Sequence, residues 1–370
     1  MKKAKFVKIL KFSLISLLGL LLTLVIAGYV ILHTYINKMN LIDDSTITDT
    51  AVWNSITENT LDNVPDQESE DLIPEGTPEI INSPKEDIDN LDKAILENTM
   101  ESTNASLNSK DVYNILLIGV DSREGGSSGR SDAMIILSIN EKNKTIILTS
   151  LLRDIYLKIP GYKNNRINAA YAYGGPKLLM ETIKENFKIE IDKYVSIDFY
   201  AFIDTVDSID GIDLEVTDKD IPIINYYIQE INRHYGVDES TDLLTKSGSY
   251  LFNGKQTLGF VRNRYNGTDF KRTERQRDVL QKIFNKVKGL KLFETKKLLD
   301  HVLPQVTTNL SEKKIVSLLL SLPAYKNYEI EPWSIPMDGS YKFLTIDRMA
   351  VIQIDFEENL KELHKKVYGE

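Results

Sequence analysis

The chain has 370 residues, with 45 basic and 54 acidic side chains, four histidines and no cysteine. The lack of cysteine excludes disulfides, thiolate metal sites and cysteine nucleophiles, so any chemistry relies on oxygen and nitrogen groups. The net charge of −9 is uneven, because residues 1–40 carry +6, residues 41–110 carry −14 and residues 111–370 carry only −1. The acidity belongs to one segment, and the remaining length is sufficient for a large folded core.

A run of 21 uncharged residues, mostly Leu, Ile, Val and Gly, spans residues 12–32. At a rise of about 1.5 Å per residue this run crosses the hydrocarbon core of a bilayer, so it predicts a transmembrane helix. Five lysines make residues 1–11 the predicted cytoplasmic tail and place the rest of the chain outside the cell membrane, which it spans once. A cleaved signal peptide is the alternative, but the apolar run is longer than usual and no A-x-A site follows it.

Residues 33–110 are rich in Asp, Glu, Asn, Ser and Thr and show no sustained apolar period. Such a composition does not offset the entropy lost on ordering, so it predicts a solvated extracellular stalk, with a short helix near residues 88–96. An acidic docking tail is the alternative, although acidic runs are usually only solvated.

Residues 111–370 form the predicted folded domain. Near-continuous hydrophobicity in the first strands indicates a sheet covered on both faces. Strands and helices interleave, which predicts an α/β domain with a central, mostly mixed sheet and helices on both faces. The predicted strands are residues 114–120, 133–140, 145–149, 194–199, 213–216 and 328–335, and the predicted helices are residues 176–187, 202–209, 268–292, 311–322 and 356–367.

Arginine is used selectively, since the chain has 11 Arg against 34 Lys and none before position 123. A guanidinium binds phosphate through two parallel hydrogen bonds and keeps its charge when buried, so a cluster of arginines predicts an anion site. A solvated helix face is the alternative, but several arginines follow predicted strands, at the end of an α/β sheet where ligands bind. Nine of the eleven lie in four short segments: Arg123, Arg130, Arg153, Arg166, Arg262, Arg264, Arg272, Arg275 and Arg277.

Carboxylates lie among these arginines. Asp121 ends the first predicted strand and Asp132 begins the second, so the two flank a glycine-rich hairpin loop, while Asp154 follows Arg153. Two carboxylates that converge with arginines suit a hard divalent cation such as magnesium bound to phosphate oxygens. Asp at strand ends also forms turns and helix caps, and the spacing leaves both interpretations open.

Other sites are disfavoured. The chain lacks a Walker sequence and a dinucleotide fingerprint. Residues 125–129 (GGSSG) match G-x-S-x-G, but a strand instead of a helix follows, which disfavours Ser127 as a nucleophile. The four histidines show no metal-ligand spacing. A domain with a charge of −1 lacks the basic face that nucleic acid requires.

Ordered motifs across residues 114–292 resemble those of the LytR-CpsA-Psr family of Gram-positive cell-wall enzymes. The resemblance implies an α-β-α domain outside the membrane that takes a glycopolymer, such as teichoic acid or capsular polysaccharide, from an undecaprenyl pyrophosphate carrier. It further implies that magnesium assists the transfer and that the polymer is joined to peptidoglycan through a phosphodiester. The motifs are NILLIGVDSR, GRSDAMIILSIN, SLLRDIYLKIPG, RINAAYAYGG, YVSIDFYAFIDTVDSIDGIDLEV, LFNGKQTLGFVRNR and DFKRTERQRDVL.

The resemblance also implies roles for individual residues. Asp121 and Asp132 match the metal-linked carboxylates, while Asp154 and Asp269 match motif carboxylates that would orient an arginine or accept the acceptor's proton. Arg166 stands where the family usually has Lys, which preserves the charge and changes the donor geometry. The residues that match pyrophosphate-binding positions or belong to the same motifs are Arg123, Arg153, Arg166, Arg262, Arg264, Arg272, Arg275 and Gln276.

A polyprenyl tail requires an apolar groove, for which residues 199–209 and the apolar face of residues 279–290 are the candidates, although ordinary core packing is the alternative use of both. Two other functions remain open. One is a non-catalytic sensor or scaffold that binds polyprenyl phosphates, and the other is a lipid pyrophosphate hydrolase that transfers to water.

Overall fold

The computed structural model describes residues 30, 32–42, 82–100, 109–121, 130–263 and 269–369. The predicted cytoplasmic tail, almost all of the apolar run at residues 12–32, and the positions Arg123, Ser127 and Arg264 lie outside these ranges. Within the ranges, no helix has both the length and the apolar character needed to cross a bilayer. The transmembrane helix therefore stays a prediction.

The described residues form thirteen strands and nine α-helices, together with a helical segment at residues 32–36. The strands are β1 Asn40–Leu41, β2 Val112–Asp121, β3 Arg130–Asn140, β4 Thr145–Leu151, β5 Tyr156–Leu157, β6 Asn165–Arg166, β7 Lys193–Asp198, β8 Ile212–Val216, β9 Gly248–Phe252, β10 Thr307–Thr308, β11 Glu329–Ile335, β12 Tyr341–Ile346 and β13 Met349–Ile354. The helices are α1 Lys85–Met100, α2 Ile167–Phe187, α3 Phe199–Ser208, α4 Ile221–Tyr235, α5 Gly254–Arg262, α6 Asp269–Gly289, α7 Leu292–Val302, α8 Glu312–Tyr325 and α9 Phe356–Tyr368.

Seven strands form one mixed sheet in the order β1-β10-β7-β2-β3-β4-β11. Strand β2 lies parallel to β7 and antiparallel to β3, β3 is antiparallel to β4, and β11 is parallel to β4. In the β2–β3 hairpin, Asp121 pairs with Arg130 across the glycine-rich loop. The mixed sheet and the hairpin confirm the fold class predicted from the sequence.

Helices cover both faces of the sheet, because alternate strand residues point to opposite sides. On one face, Leu116 and Ile136 are buried in the main core, which includes residues from α2 and α9. On the other face, Ile135 and Leu148 pack with Leu280 of α6 and with residues of α8. This second face is also lined by α3 and α5, and it contains the cavities described below.

The folded domain begins earlier than the predicted boundary at residue 111. Within the predicted stalk, helix α1 buries Leu91 and Ile95 in the main core, and the Asn98 side chain donates a hydrogen bond to the carbonyl of Asn186 (3.0 Å). The predicted short helix at residues 88–96 is therefore part of a longer one. The acidic residues of α1 hid its contribution, because only one narrow face of the helix is apolar.

The first described residues also join the domain. Strand β1 pairs with β10 in parallel, and the Lys38 ammonium forms an ion pair with Asp300 of α7. The two ends of the acidic segment at residues 43–81 are thus both attached to the folded domain, since Ser83 also donates its amide to the Thr345 carbonyl (2.9 Å). Residues 32–42, which belong to or adjoin the predicted stalk, therefore pack against the domain, and residues 43–81 of the predicted stalk lie outside the described residues.

Most predicted elements agree with the structure to within a few residues. The helix predicted from Pro176 is the second half of α2, which has a kink at Gly174 and Gly175 and begins at Ile167. Sequence analysis missed α4, α5, α7 and the β12–β13 hairpin.

Candidate functional site

A buried carboxylate lies at the centre of the site. Asp132 accepts a hydrogen bond from Arg153 Nη1 at its Oδ1 (2.8 Å) and one from Arg272 Nη2 at its Oδ2 (3.0 Å). The two arginines come from positions far apart in the sequence, one just after β4 and one in the first turns of α6. The structure therefore brings together three of the residues singled out from the sequence.

The sheet explains this convergence. Strands β2, β4, β7 and β11 all end at the edge where the antiparallel β3 begins. Asp132, at the start of β3, and Arg153, two residues beyond the end of β4, meet at that edge. Ligands in α/β folds bind at the carboxyl ends of strands, and this edge has that character in four of the five neighbouring strands from β7 to β11.

The charges continue behind Arg153 in an alternating row. The Asp154 carboxylate lies 3.5 Å from Arg153 Nε and accepts a hydrogen bond from Arg166 Nη1 (3.2 Å). Arg166 is held by β6, where it pairs with Tyr156 of β5. Asp154 and Arg166 are buried and Arg153 is partly buried, and each positive side chain contacts a negative one. Arg166, predicted to bind pyrophosphate, is placed behind Asp154 and stabilises the row.

The electrostatics keep Asp132 ionised. Burial raises its pKa, but the charges of Arg272, Arg153 and, to a smaller extent, Arg262 outweigh burial and lower the pKa to about 2. An acceptor that stays negatively charged orients both guanidinium groups at any physiological pH.

Arg272 has unused donors. Only 4% of the residue is exposed, yet its Nε and Nη1 have no hydrogen-bond partner among the described residues. A buried guanidinium N–H without an acceptor destabilises a protein, so such an arrangement indicates a missing ligand. Because the unpartnered atoms are donors on a cation, an anion is the appropriate ligand.

Arg262 is held in a different way. Its guanidinium lies between two aromatic rings, 4.7 Å from the centroid of Phe199 and 4.3 Å from that of Tyr227, and its Nη1 is 3.3 Å from the Glu230 carboxylate. Arg262 is the last residue of α5, where a cation interacts favourably with the helix dipole. Its aromatic partners were not identified from the sequence, because cation–π contacts leave no spacing signal.

Helix α5 has its own local reasons for its position. Asn253 caps the helix by accepting the Gln256 amide, and the Gln256 side chain accepts the Asn253 amide in return. Gly254 follows the cap, and a Cβ there would clash with the backbone of Ile203 in α3. The N-G-K-Q sequence thus allows α5 to pack closely on α3 and sets the position of Arg262.

The remaining arginines of α6 are partly engaged. Arg275 donates to the Asn263 carbonyl (2.7 Å) and lies 3.6 Å from Asp220, which also accepts a hydrogen bond from the Asn263 side chain (2.8 Å). Arg277 Nη1 has no partner within the described ranges, and burial lowers the pKa of this side chain. Arg275 thus holds the end of α5 in place, and its binding of pyrophosphate stays a prediction.

A cavity of about 200 Å³ adjoins Asp132 and Arg272. Five polar residues line part of it, and its other walls are almost entirely apolar side chains of the sheet, α3, α5 and α6. The polar residues are Asp132, Asp198, Arg262, Arg272 and Gln276, and the apolar ones include Leu117, Ile135, Val195, Phe202, Leu258 and Leu280.

A second cavity, of about 250 Å³, continues along the same face of the sheet. It shares Leu117 and Leu280 with the first cavity, and its other walls are strand residues together with side chains of α6 and α8, such as Phe284 and Leu318. The two cavities adjoin at Leu117 and Leu280 and are together called the apolar channel below; its cationic side chains line the first cavity only. The predicted groove is confirmed in part, since residues on α3 and α6 line the channel, while the contribution of α8 was not predicted.

A third cavity, of about 220 Å³, lies on the other side of Arg262. It shares Phe199, Leu258 and Arg262 with the first cavity and is lined in addition by Tyr200, Glu230 and His234. Arg262 is therefore the wall between an apolar channel and a more polar pocket.

The described residues fit a divalent cation incompletely. Asp132 supplies an ionised hard-oxygen donor, as magnesium requires. Among the described residues there is no group of three or more Asp, Glu or His that would hold a metal. The backbone places Asp121 across the hairpin from Arg130, two residues before Asp132, but its side chain is outside the described set. A cation here would need phosphate oxygens as further ligands.

Several predicted residues are not placed. Arg123 and Arg264 lie outside the described residues, as do the side chains of Asp121, Arg130 and Asp269. Their predicted roles stay predictions. The residue before each of these two gaps nevertheless lies at the end of an element that borders the site. Asp121 is the last residue of β2, and Asn263 follows the last residue of α5.

Residues 81–365 match the LytR_cpsA_psr family. The chain is 30% identical over 260 residues to the polyisoprenyl-teichoic acid–peptidoglycan teichoic acid transferase TagT of Bacillus subtilis, a match covering 68% of this chain and 78% of that protein. It is 33% identical over 291 residues to Biofilm regulatory protein A of Streptococcus mutans, covering 70% of this chain and 69% of that protein.

A solved structure of the Bacillus subtilis LytR-CPS2A-psr family protein YwtF (TagT), with bound octaprenyl pyrophosphate lipid, has the same mixed α/β fold. It matches with a TM-score of 0.52 and 26% identity, over 70% of this chain and 90% of that one. A related protein thus binds a ligand that combines an anionic head with a polyprenyl tail.

Proposed function

The chain belongs to the LytR-CpsA-Psr family, and on that premise we propose that it transfers a glycopolymer of the teichoic acid or capsular type from an undecaprenyl pyrophosphate carrier to peptidoglycan. One observation carries this proposal. Arg272, buried at the polar end of an apolar channel, has two N–H donors without partners in the described structure. A ligand that satisfies both features has an anionic head and a long hydrocarbon tail.

The channel supports a polyprenyl tail. Its two parts together provide about 450 Å³, the sum of the two cavity volumes, and its walls beyond the first few residues are apolar. Burial of hydrocarbon contributes about 25 cal/mol per Å² of apolar surface, so the tail supplies affinity and the arginines supply position. If only water occupied the polar end, the apolar walls of the channel would have no hydrocarbon to contact.

The arginines would neutralise the pyrophosphate. Arg272 directs its free donors at one phosphate, with Arg153 and Asp132 fixing its orientation, and Arg262 approaches from the opposite wall. Catalysis of phosphoryl transfer is mostly positioning and charge neutralisation, which a set of guanidinium groups on rigid elements provides. Arg123 and Arg264, which the family resemblance assigns to the same ligand, would complete the set.

The reaction is a substitution at phosphorus. The oxygen of an acceptor hydroxyl forms a bond to the phosphorus that carries the glycan, the bond from that phosphorus to the bridging oxygen breaks, and the lipid monophosphate leaves with the electron pair. The hydroxyl proton passes to a base. Asp154 is a poor candidate for that base, because two arginines engage it, and it acts by holding Arg153. Asp269 stays a prediction.

Magnesium, held by Asp132 and Asp121 together with phosphate oxygens, would supply further charge neutralisation when bound.

The third cavity, which shares Arg262 with the channel, is the proposed site of the acceptor. An acceptor there would approach the phosphorus opposite the leaving lipid phosphate. We place the domain outside a membrane that residues 12–32 span once, where both carrier and peptidoglycan are found.

The test is reconstitution of the full chain in lipid nanodiscs with magnesium, a polyprenyl-pyrophosphate-linked glycan and peptidoglycan oligomers. Formation of an acceptor-linked phosphodiester, with release of lipid monophosphate, is the expected result. Release of lipid phosphate without acceptor-linked glycan would instead identify a hydrolase. Tight donor binding with no product would identify a sensor, a function for which the regulatory name of the Streptococcus mutans relative gives some support.

A matched pair of variants relates the product to the site. Arg272→Ala removes the guanidinium with the unpartnered donors, whereas Arg233→Ala removes an exposed guanidinium on α4 that pairs with Glu239 (2.9 Å). Loss of product in the first variant and normal turnover in the second are expected. Equal turnover in both would contradict the proposed binding mode.

A further inference from the structure

Helix α8 is apolar on more than one side. Leu318 and Tyr325 point inward and line the second cavity, as expected for a helix that covers a sheet. Leu319 and Leu320 point outward and are 42% and 77% exposed. A surface helix of a soluble domain has a polar outer face, so an outward pair of leucines indicates a partner for that face.

Two lysines flank the exposed leucines along the helix. Lys313, in the first turn, and Lys326, just beyond the last turn, are both exposed, and Pro323 and Ala324 extend the apolar part of the outer face. An apolar stripe bordered by lysines is the pattern of a helix at a lipid surface, where the ammonium groups reach the headgroups and the apolar side chains enter the acyl region.

The chain that follows the predicted membrane span joins the domain beside α8. The His33 Nδ1 atom lies 2.8 Å from the Glu312 carboxylate, the first residue of α8. Val30, one helical turn before His33, is 55% exposed. Strand β1 then pairs with β10, which directly precedes α8. Fewer than ten residues therefore separate the end of the apolar run from the sheet, and α8 begins at that junction.

We propose that the outer face of α8 lies in the outer leaflet of the bilayer, at the boundary between headgroups and acyl chains, and that the carrier's tail enters the channel from the membrane between α8 and α6. This inference rests on the proposed function, which supplies the membrane and the carrier. The helix would have a double role, with Leu319 and Leu320 in lipid and Leu318 against the tail.

The geometry fits this placement. An α-helix of 14 residues is about 21 Å long, so α8 is long enough to lie along the membrane surface as a stable contact. The channel wall it forms is shared with Leu280 and Phe284 of α6, so a tail that passes between the two helices reaches the arginines without crossing water. Removal of a polyprenyl tail from lipid into water would be strongly unfavourable, and this route avoids that step.

The absence of cysteine makes a direct test possible, because each introduced cysteine is unique. The full chain carrying Leu320→Cys is labelled with an environment-sensitive fluorophore and reconstituted in phosphatidylglycerol-containing nanodiscs. Leu251→Cys is the matched control, since Leu251 is 58% exposed on the two-stranded β8–β9 sheet, which is separate from the main sheet. Quenching is measured with spin-labelled lipids and, separately, with a water-soluble quencher.

We expect strong quenching of the label at 320 by the lipid-borne quencher and protection from the aqueous one, with the reverse for the label at 251. Equal behaviour of the two labels would overturn the proposal. Protection of the label at 320 from both quenchers would also overturn it, because a second protein copy or another protein would then cover α8. The outcome does not depend on transfer, so it is separate from failure of the proposed function.

A functional measurement sharpens the result. Leu320→Glu, on a residue that does not line the channel, is expected to raise the KM for a membrane-borne donor about tenfold, because it removes an apolar lipid contact and adds repulsion from anionic lipid. The kcat with a short-chain donor dissolved in detergent is expected to stay at the wild-type value. An unchanged KM for the membrane-borne donor would contradict the assignment, and an unaltered melting temperature would show that the fold is intact.

Discussion

Two sides of the site hold their arginines by different means. On the sheet side, Arg153 and Arg166 alternate with Asp132 and Asp154, so each guanidinium contacts a buried carboxylate. On the helix side, Arg262 lies between two aromatic rings and Arg272 keeps two donors unpartnered within the described structure. The sheet side is a neutral framework, and the helix side supplies the excess positive charge.

This difference indicates a division of labour. Neutral, alternating pairs fix geometry and contribute little net attraction for an anion, because each positive charge is balanced nearby. On the helix side, aromatic rings position Arg262 while Glu230, 3.3 Å away, balances its charge, so the excess positive charge comes from Arg272. Changes on the helix side are therefore expected to alter transfer more than stability, and changes on the sheet side to alter both.

The largest expected effect is on Arg272. Replacement by Ala should lower kcat/KM for transfer by about 10²- to 10³-fold, the range found when a single charge-stabilising donor is removed. Arg272→Lys should recover only part of the loss, because an ammonium keeps the charge but lacks the fork that contacts Asp132 and the ligand together. Steady-state transfer kinetics measure both variants, and wild-type turnover of Arg272→Lys would show that charge alone suffices.

A substitution on the sheet side tests the structural role proposed for that side of the site. Arg166→Met leaves the buried Asp154 with one fewer partner, so the free energy of unfolding should fall by about 3 kcal/mol. Transfer should fall less than in Arg272→Ala, through a loosened Arg153. Denaturant unfolding and kinetics are measured together. A variant that loses activity without losing stability would place Arg166 at the ligand, as the sequence predicted.

The aromatic clamp should have an intermediate effect. Tyr227→Leu removes one ring from Arg262 and should raise the KM for the donor about three- to tenfold, the equivalent of a cation–π contact. Stability should change little, since Tyr227 is only partly buried. Tyr226→Leu, which changes the neighbouring ring, is the control. Equal KM changes in the two variants would contradict a role for the contact between Tyr227 and Arg262.

The smallest expected effect is at the opposite end of the sheet. Burial raises the pKa of Asp192, although its carboxylate accepts the Asn114 amide. Since the folded-state pKa lies above the unfolded one, ionisation of Asp192 opposes folding above that folded-state pKa and has no effect below the unfolded pKa.

Asp192→Asn should therefore match or slightly exceed the wild-type melting temperature at pH 7, by at most about 2 °C, and lose that advantage as the pH falls below about 4. Thermal unfolding at several pH values measures this. A clear loss of stability at pH 7 would mean that the electrostatic attraction between the Asp192 carboxylate and Lys314 outweighs the cost of burial.

Much of the fold follows from local sequence. The strands at residues 114–120, 133–140 and 145–149 were correctly predicted because they are long and apolar on both faces, and the hairpin between the first two followed from their glycine-rich connection. Helix α1 was predicted incompletely, because a short apolar face among charged residues gives weak periodicity. Helix α4 was missed although Ile224, Ile228 and Ile231 give it an apolar face.

The site divides in the same way. The residue types of the site, and the clustering of Arg and Asp after strands, are visible along the chain, so the sequence alone indicated an anion site built from arginines. Which arginine meets which carboxylate is not visible there. Asp132 and Arg272 are 140 positions apart and meet only because α6 crosses the end of the sheet.

The sequence by itself thus determined most of the secondary-structure elements, the negative charge expected of the ligand and the family resemblance, since these depend on residues that are neighbours in sequence. Tertiary structure alone decided that Arg166 supports Asp154, that Arg272 keeps donors for a ligand, and that α8 is apolar on both sides of a channel wall. The physical reason is that a hydrogen bond or a buried contact depends on distances in space, which are set by how helices pack on the sheet.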